Sequence, residues 1–275
     1  MGRALSVFHG RFGRATIYEF NRPFNLHAHR EGHLLFYVRG APGLVEVCDA
    51  PHRLTPDSVV AISPWEPHRF LPPQGEGGTL IFVLYVNADW FAPGCEQEFQ
   101  LRFGRACFPR TPALDLLIRH TLGLFCAGTS MRSLDAKLRR LIEACHDQSW
   151  RSLAEPAGGT VRPCLSDFRV RKSIRLMSQS PCAEMELDTV ARESGLSRPH
   201  FYKLFREQTG VTPHLYLKTL LMEKALSTLV ETGTPIAEIG FDLGFSSQSG
   251  FTKFFASNVG MAPTEYRRAA QVLHS

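Results

Sequence analysis

The sequence predicts a multidomain α+β chain. An N-terminal β-barrel carries a helical hairpin, and an all-α domain with two helix-turn-helix units follows it. Three observations predict this. Short β-rich runs, punctuated by Pro, Gly and Asn, fill the first hundred residues. Near residue 112 the apolar spacing changes from strand-like to helical. Finally, one stretch of the C-terminal third recurs at an offset of 49 to 50 residues.

The barrel is expected over residues 1–110. Its strands are ATIYEF (15–20), HLLFYVR (33–39), GLVEVC (43–48), SVVAIS (58–63) and TLIFVLYV (79–86), separated by turns such as RGAPG and LPPQGEGG. A helical hairpin is expected over 111–153. Leu114, Leu117, Ile118, Thr121 and Phe125 line one helix, and Leu134, Leu138, Leu141, Ile142 and Cys145 the other, with GTS (128–130) between them. The second seam is narrow and flanked by Lys137, Arg139 and Arg140. Such a seam suits either a cover over the open side of the barrel or a homodimer contact. AEPAGGTVRPCLS (154–166) has no periodicity and reads as a linker. From 167 to 275 the chain is expected to be almost wholly helical.

The repeat decides the class. LDTVARESGLSRPHFYKLFREQTGVTPHLYLK (187–218) aligns with IAEIGFDLGFSSQSGFTKFFASNVGMAPTEYRR (236–268). Leu187, Val190 and Gly195 meet Ile236, Ile239 and Gly244 at offset 49, whereas Gly210, Pro213 and Tyr216 meet Gly260, Pro263 and Tyr266 at offset 50. One inserted residue accounts for the change. Each copy reads as a helix-turn-helix, about 187–206 and 236–256. Gly195 and Gly244 stand where a left-handed residue ends the first helix. Ser197 and Ser246 are the expected N-caps of the second. Leu196 plugs the corner of the first unit, and Phe201, Leu204 and Phe205 of its second helix point inward. Arg198, Pro199, Tyr202, Lys203 and Arg206 then face outward, with Pro199 tolerated in the first helical turn. In the second unit Phe251 and Phe255 are inward, and Gln248, Ser249, Thr252 and Lys253 outward.

These outward side chains suit a DNA major groove. Lys donates to guanine, Gln pairs with adenine, and hydroxyls reach phosphates or base edges. A connecting helix over 214–230 would span roughly 25 Å at ~1.5 Å per residue. That length suits two recognition helices set about one DNA turn, ~34 Å, apart on one face. A lone helix-turn-helix is compatible with proteins that never touch DNA. Two copies with matching turns, caps and polar faces argue for DNA much more strongly.

Residues 167–275 resemble the DNA-binding domain of the AraC/XylS family of bacterial transcription regulators. The resemblance is carried by IAEIGFDLGFSSQSGFTKFFASNVGMAPTEYRR, with its GF-S-x-Q-S and G-x-x-P-x-x-Y-R spacings. It implies that both units enter successive major grooves of promoter DNA. Pro199, Tyr202 and Lys203 would be the readers of the first unit, and Gln248, Ser249 and Lys253 those of the second. It also implies activation through contact with RNA polymerase. Two departures stand out: Leu221 replaces an Arg common in the connecting helix, and Gly250 replaces a larger residue.

The N-terminal half resembles the cupin barrels that serve this family as sensors. His27-Ala-His29, followed by His33 and Gly40, is similar to the first cupin motif, with His33 where Glu is usual. Pro56-Asp57 through Pro64-Trp65-Glu66-Pro67-His68 is similar to the second, with His68 at the ligand position and the usual following Asn absent. His27, His29 and His33 share parity on an extended chain, so they point the same way. With His68 they form a nitrogen-rich set suited to a divalent transition metal (Zn, Ni, Cu or Fe) or to hydrogen-bonding a small-molecule effector. His9 and His52 lack such company.

Composition narrows the remaining classes without naming a function. The 275 residues carry a net charge of +5 (31 − 26), with 44% hydrophobic and 21% charged residues, which excludes a disordered chain. The charge is spread evenly: residues 1–166 hold 18 − 15 = +3 and residues 167–275 hold 13 − 11 = +2. The longest near-continuous apolar run, 80–86, is far too short to span a bilayer. Seven widely spaced cysteines without C-x-x-C suit a reducing, cytoplasmic setting, and the N-terminus lacks the apolar core of a secretion signal. A regulator rather than an enzyme is therefore expected. Its rivals are a metal-dependent cupin enzyme, with Arg39 and Glu46 orienting substrate, and a metal-storing or pH-sensing protein. An enzyme has no use for two capped recognition helices in tandem.

Overall fold

The computed structural model describes residues 3–21, 23, 25–71, 78–91, 101–127, 131–151 and 165–272. Strands β1 (Arg3–Gly10) and β2 (Gly13–Phe20) form a hairpin, followed by β3 (Gly32–Gly40), β4 (Gly43–Val47), β5 (Ala50–Leu54), β6 (Ser58–Ile62), β7 (His68–Leu71) and β8 (Thr79–Val86). A short helix α1 (Ala88–Phe91), strand β9 (Cys107–Pro109) and helices α2 (Pro112–Cys126) and α3 (Met131–Trp150) complete the N-terminal half. Two antiparallel sheets result, ordered β1-β2-β8-β3-β6-β9 and β5-β4-β7.

Side-chain alternation sorts the large sheet into two faces. Tyr18, Phe20, Leu35, Val60, Ile62, Ile81 and Val83 point inward, sharing a core with Val45, Val47 and Phe70 of the small sheet. Phe8, Ala15, Leu34, Phe36, Val59, Phe82 and Leu84 point outward, and there the hairpin covers them. Leu114, Ile118 and Phe125 of α2 and Leu134, Leu138, Leu141, Ile142 and Cys145 of α3 are all buried in this second core. The hairpin thus backs the large sheet rather than closing the barrel's open side. Its narrow seam is consumed within the chain and is not free for a second copy. Arg139, beside the seam, binds the carbonyls of Trp90 and Phe91 at 2.9 and 3.0 Å.

The C-terminal half comprises α4 (Phe168–Gln179), α5 (Leu187–Glu193), α6 (Arg198–Thr209), α7 (Pro213–Glu231), α8 (Ile236–Asp242), α9 (Gln248–Val259) and α10 (Pro263–Ala269). The central α7 buries Tyr216, Leu217, Leu220, Leu221, Ala225 and Leu229, so it is the spine on which both units pack. The chain does not stay helical to its end. Residues Ala270–Val272 form β10, which adds in parallel to the edge of β1, pairing Val7 with Ala270 and His9 with Val272. The unpaired backbone of β1 supplies that edge, which helical periodicity gives no hint of. Most of the expected linker, 154–164, lies outside the described residues, as does the GTS turn at 128–130.

Candidate functional site

Both helix-turn-helix units have the same local construction. Gly195 (φ +76°) and Gly244 (φ +80°) occupy the left-handed region after α5 and α8. Leu196 and Leu243 are buried at the corners. The two first helices start 49 residues apart and the two second helices 50 apart, so the inserted residue lies in the second turn. This moves the cap by one position. Ser247, not Ser246, is the N-cap of α9, and its Oγ accepts from the Gly250 N–H at 3.1 Å. Gly250 is therefore part of the cap. Ser197 holds the N-cap position of α6 without a side-chain cap hydrogen bond.

Phe201 and Phe205 of α6, and Phe251 and Phe255 of α9, are fully buried. The opposite faces carry the expected readers. Arg198, Pro199, Lys203 and Arg206 are exposed on α6, with Tyr202 half-buried beside them. Gln248, Ser249 and Lys253 are exposed on α9, and with Thr252 and Ala256 they line one shallow groove. Arg198 is held at home by Asp188, which accepts from its Nη1 at 3.0 Å. Leu221 is only 4% exposed, so at that position this chain has core packing in place of a surface cation.

The barrel gathers all four predicted histidines. Ring centroids lie 4.3 Å apart for His27 and His68, 4.9 Å for His27 and His29, 4.5 Å for His29 and His33, and 4.9 Å for His33 and His68. An isolated antiparallel bridge between His27 and His68 fixes the two strips that carry them. Burial holds all four below the usual imidazole range. Next come the neighbouring His68 for His27 and His33, and His33 for His29; His68 itself is pushed down to about 4. All four are neutral near pH 7. They line a small cavity of about 50 Å³ together with apolar side chains (Phe20, Leu35, Ile62, Val83) and the polar groups of Arg14, Arg69 and Tyr85. Arg39 is exposed, and Glu46 is engaged by Arg69 through two 2.9 Å hydrogen bonds. Neither residue orients anything in the cavity.

Several residues at this place were not singled out by sequence. Leu226, Asn258 and Val259, from the helical half, complete the cavity wall. The indole of Trp65 stacks on Tyr216 of α7 at 4.5 Å and 13°, although Trp65 sits at φ +65°, a conformation costing about 1–3 kcal/mol. Thr219 donates to the Ala28 carbonyl at 3.0 Å, and Arg30 pairs with Glu223 at 3.7 Å. The Tyr266 hydroxyl meets His9 Nε2 at 2.9 Å and accepts from the buried Arg14 at 3.3 Å. Arg14 also lies over the Tyr85 ring at 3.7 Å. Tyr216 and Tyr266 are equivalent positions of the repeat, and each contacts the barrel. That equivalence was the available signal.

A family model described as an AraC-like ligand binding domain matches residues 16–155, and a helix-turn-helix domain model matches residues 190–269. The chain belongs to the AraC family of transcriptional regulators. Among curated relatives, the probable transcriptional regulator LumQ of Photobacterium leiognathi is 36% identical over 89 residues, which cover 32% of this chain and 35% of LumQ. The regulator MtrA of Neisseria gonorrhoeae is 26% identical over 102 residues, covering 37% and 34%. The chain thus matches about a third of the length of these relatives. Among solved structures, fatty-acid-bound ToxT of Vibrio cholerae covers 92% of this chain and 94% of its own, with a TM-score of 0.57 and 12% identity. This AraC-family chain therefore shares its fold, barrel and helical half together, with ToxT.

Proposed function

We propose that this AraC-family chain is a sequence-specific regulator that binds duplex promoter DNA through α6 and α9. The observation that carries the reading is the matched pair of helices α6 and α9. Each has a buried Phe pair on one side and exposed polar side chains on the other, and both are locked to one spine. With 19 residues at ~1.5 Å each, α7 spans about 28 Å, close to one DNA turn. The proposed readers are Arg198, Pro199, Tyr202, Lys203 and Arg206 in the first groove and Gln248, Ser249, Thr252 and Lys253 in the second. The regulator acts in the cytoplasm as an activator and contacts RNA polymerase, as the family implies.

Control comes from a compact effector in the barrel. The helical half walls the cavity with Leu226, Asn258 and Val259, so occupancy and the seating of the DNA-binding half are energetically linked. Pairing of two chains falls to the exposed side of the hairpin, where Leu116 is 55% exposed, because the other seam is buried. The role is binding rather than catalysis, a reading supported by the two tandem helix-turn-helix units, for which an enzyme has no use. Fluorescence anisotropy of the full chain on its own upstream region tests the proposal. Specific binding that weakens with rising salt is expected. Equal affinity for unrelated DNA, or none for any DNA, overturns it.

A further inference from the structure

We propose that Asp188 is a positioning residue for DNA readout: it keeps Arg198 off the phosphate backbone and free only for a base edge. The inference rests on the reading of α6 as a recognition helix. Removing the Asp188 charge would then raise affinity for any DNA and lower discrimination between sequences.

Arg198 opens α6, and its Nη1 donates to the Asp188 carboxylate on α5 at 3.0 Å. The Tyr202 ring flanks the same guanidinium, with Cζ 5.9 Å from the ring centroid. That is within the range of cation–π attraction. A carboxylate from the neighbouring helix and a ring of its own helix therefore restrain Arg198 together. Stability does not explain the ion pair. Its side chains are 65% and 56% exposed, and a pair so open to water contributes little to folding.

The second unit lacks both charges. Asp188 is the second residue of α5, whereas the second residue of α8 is Ala237. Arg198 opens α6, whereas Gln248 opens α9. A carboxylate whose task is to hold an arginine has no task where Gln takes the arginine's place.

An unrestrained guanidinium at the rim of a duplex takes the nearest phosphate, a contact that carries no sequence information. Asp188 opposes that contact in two ways. It occupies one N–H donor, and it sets a like charge against an incoming phosphate well inside the Debye length of about 8 Å. A guanine edge meets neither obstacle. Its O6 and N7 are uncharged acceptors, and Arg198 has N–H donors left for them. Selectivity of this kind comes from penalising the wrong contact.

Fluorescence anisotropy of the full chain on promoter and scrambled duplexes, across a range of salt, tests the inference. Asp188→Asn keeps the shape and removes the charge. Its affinity for scrambled DNA should rise about 5-fold, with a salt slope steeper by about 0.9, the mark of one added phosphate contact. Promoter discrimination should fall about 10-fold, within the range of one lost base contact. Asp188→Glu, which can still reach Arg198, should keep most of the discrimination. Glu193→Gln, the same charge change at another exposed position of α5, should leave it unchanged. In an Arg198→Ala background, Asp188→Asn should have none of these effects. Unchanged discrimination in Asp188→Asn, an equal loss without Arg198, or a large fall in Tm that makes the pair structural overturns the proposal. These outcomes leave the regulator reading standing. A wild type that does not prefer its promoter overturns that reading, and this inference with it.

Discussion

Replacing Gly244 by Ala is expected to destabilise the helical half far more than replacing Gly195, although the two glycines hold the same place in the repeat. Both sit in the left-handed region, at φ +80° and +76°, where an L side chain costs roughly 1–2 kcal/mol. Their surroundings differ. A Cβ on Gly195 meets nothing within 4 Å. A Cβ on Gly244 falls 2.2 Å from Cys182 Sγ and 3.1 Å from the Ala183 nitrogen, and that nitrogen is fixed by its hydrogen bond to the Leu243 carbonyl at 2.8 Å. Overpacking of this kind adds roughly 1–3 kcal/mol. Gly195→Ala should thus cost about 1–2 kcal/mol and Gly244→Ala about 2–5 kcal/mol. Urea denaturation of both variants reads the difference, and at a slope of ~1–3 kcal/mol per molar the midpoints should separate by about 1 M. Adding Cys182→Ala to Gly244→Ala should recover part of the loss, a coupling that a double-mutant cycle isolates. Equal costs at the two turns, or no recovery in the double variant, would refute the steric reasoning.

Three further outcomes follow from the same geometry. Ser247→Ala should cost about 1 kcal/mol because it removes the cap on Gly250 N–H, whereas Ser197→Ala, which removes no cap bond, should be nearly neutral by thermal denaturation. Lys253→Ala should weaken promoter binding by about 1–3 kcal/mol where it reads a base edge, and anisotropy on specific and scrambled DNA separates this from a uniform phosphate loss. Burial, and then Arg14, push His9 down to about 3, against 6.5 when unfolded. A lowered folded value gives stability that is complete above pH 6.5 and lost as pH falls toward 3. At pH 5 the loss should be about 1–2 kcal/mol, so His9→Gln should flatten the fall in Tm between pH 7 and 5. An unchanged slope contradicts the buried neutral His9.

Much of this architecture is legible in the residues. The β-rich runs ATIYEF and TLIFVLYV read as strands, and the glycine and inward Phe positions read as two helix-turn-helix units, with the cap of the second placed one residue early. What escaped reading depends on neighbours distant in sequence. Short strands such as β5 (APHRL) and β9 (CFP) have little apolar pattern of their own and exist because a partner edge is present. The same holds for β10, which needs the edge of β1. The hairpin seam looked suitable for a dimer because periodicity gives an apolar stripe but not its partner, and the partner is the outer face of the large sheet. Histidine parity pointed to one site, yet the presence of α7 and the end of α9 at that site came only from packing.

Hydroxyl-radical footprinting of the full chain on its own promoter tests the central claim, that α6 and α9 read two successive major grooves from one rigid spine. Two protected patches are expected on one face of the duplex, with centres about 10 base pairs apart. Lys203→Ala should weaken protection in one patch and Lys253→Ala in the other. A single patch, or both substitutions affecting the same patch, would contradict it.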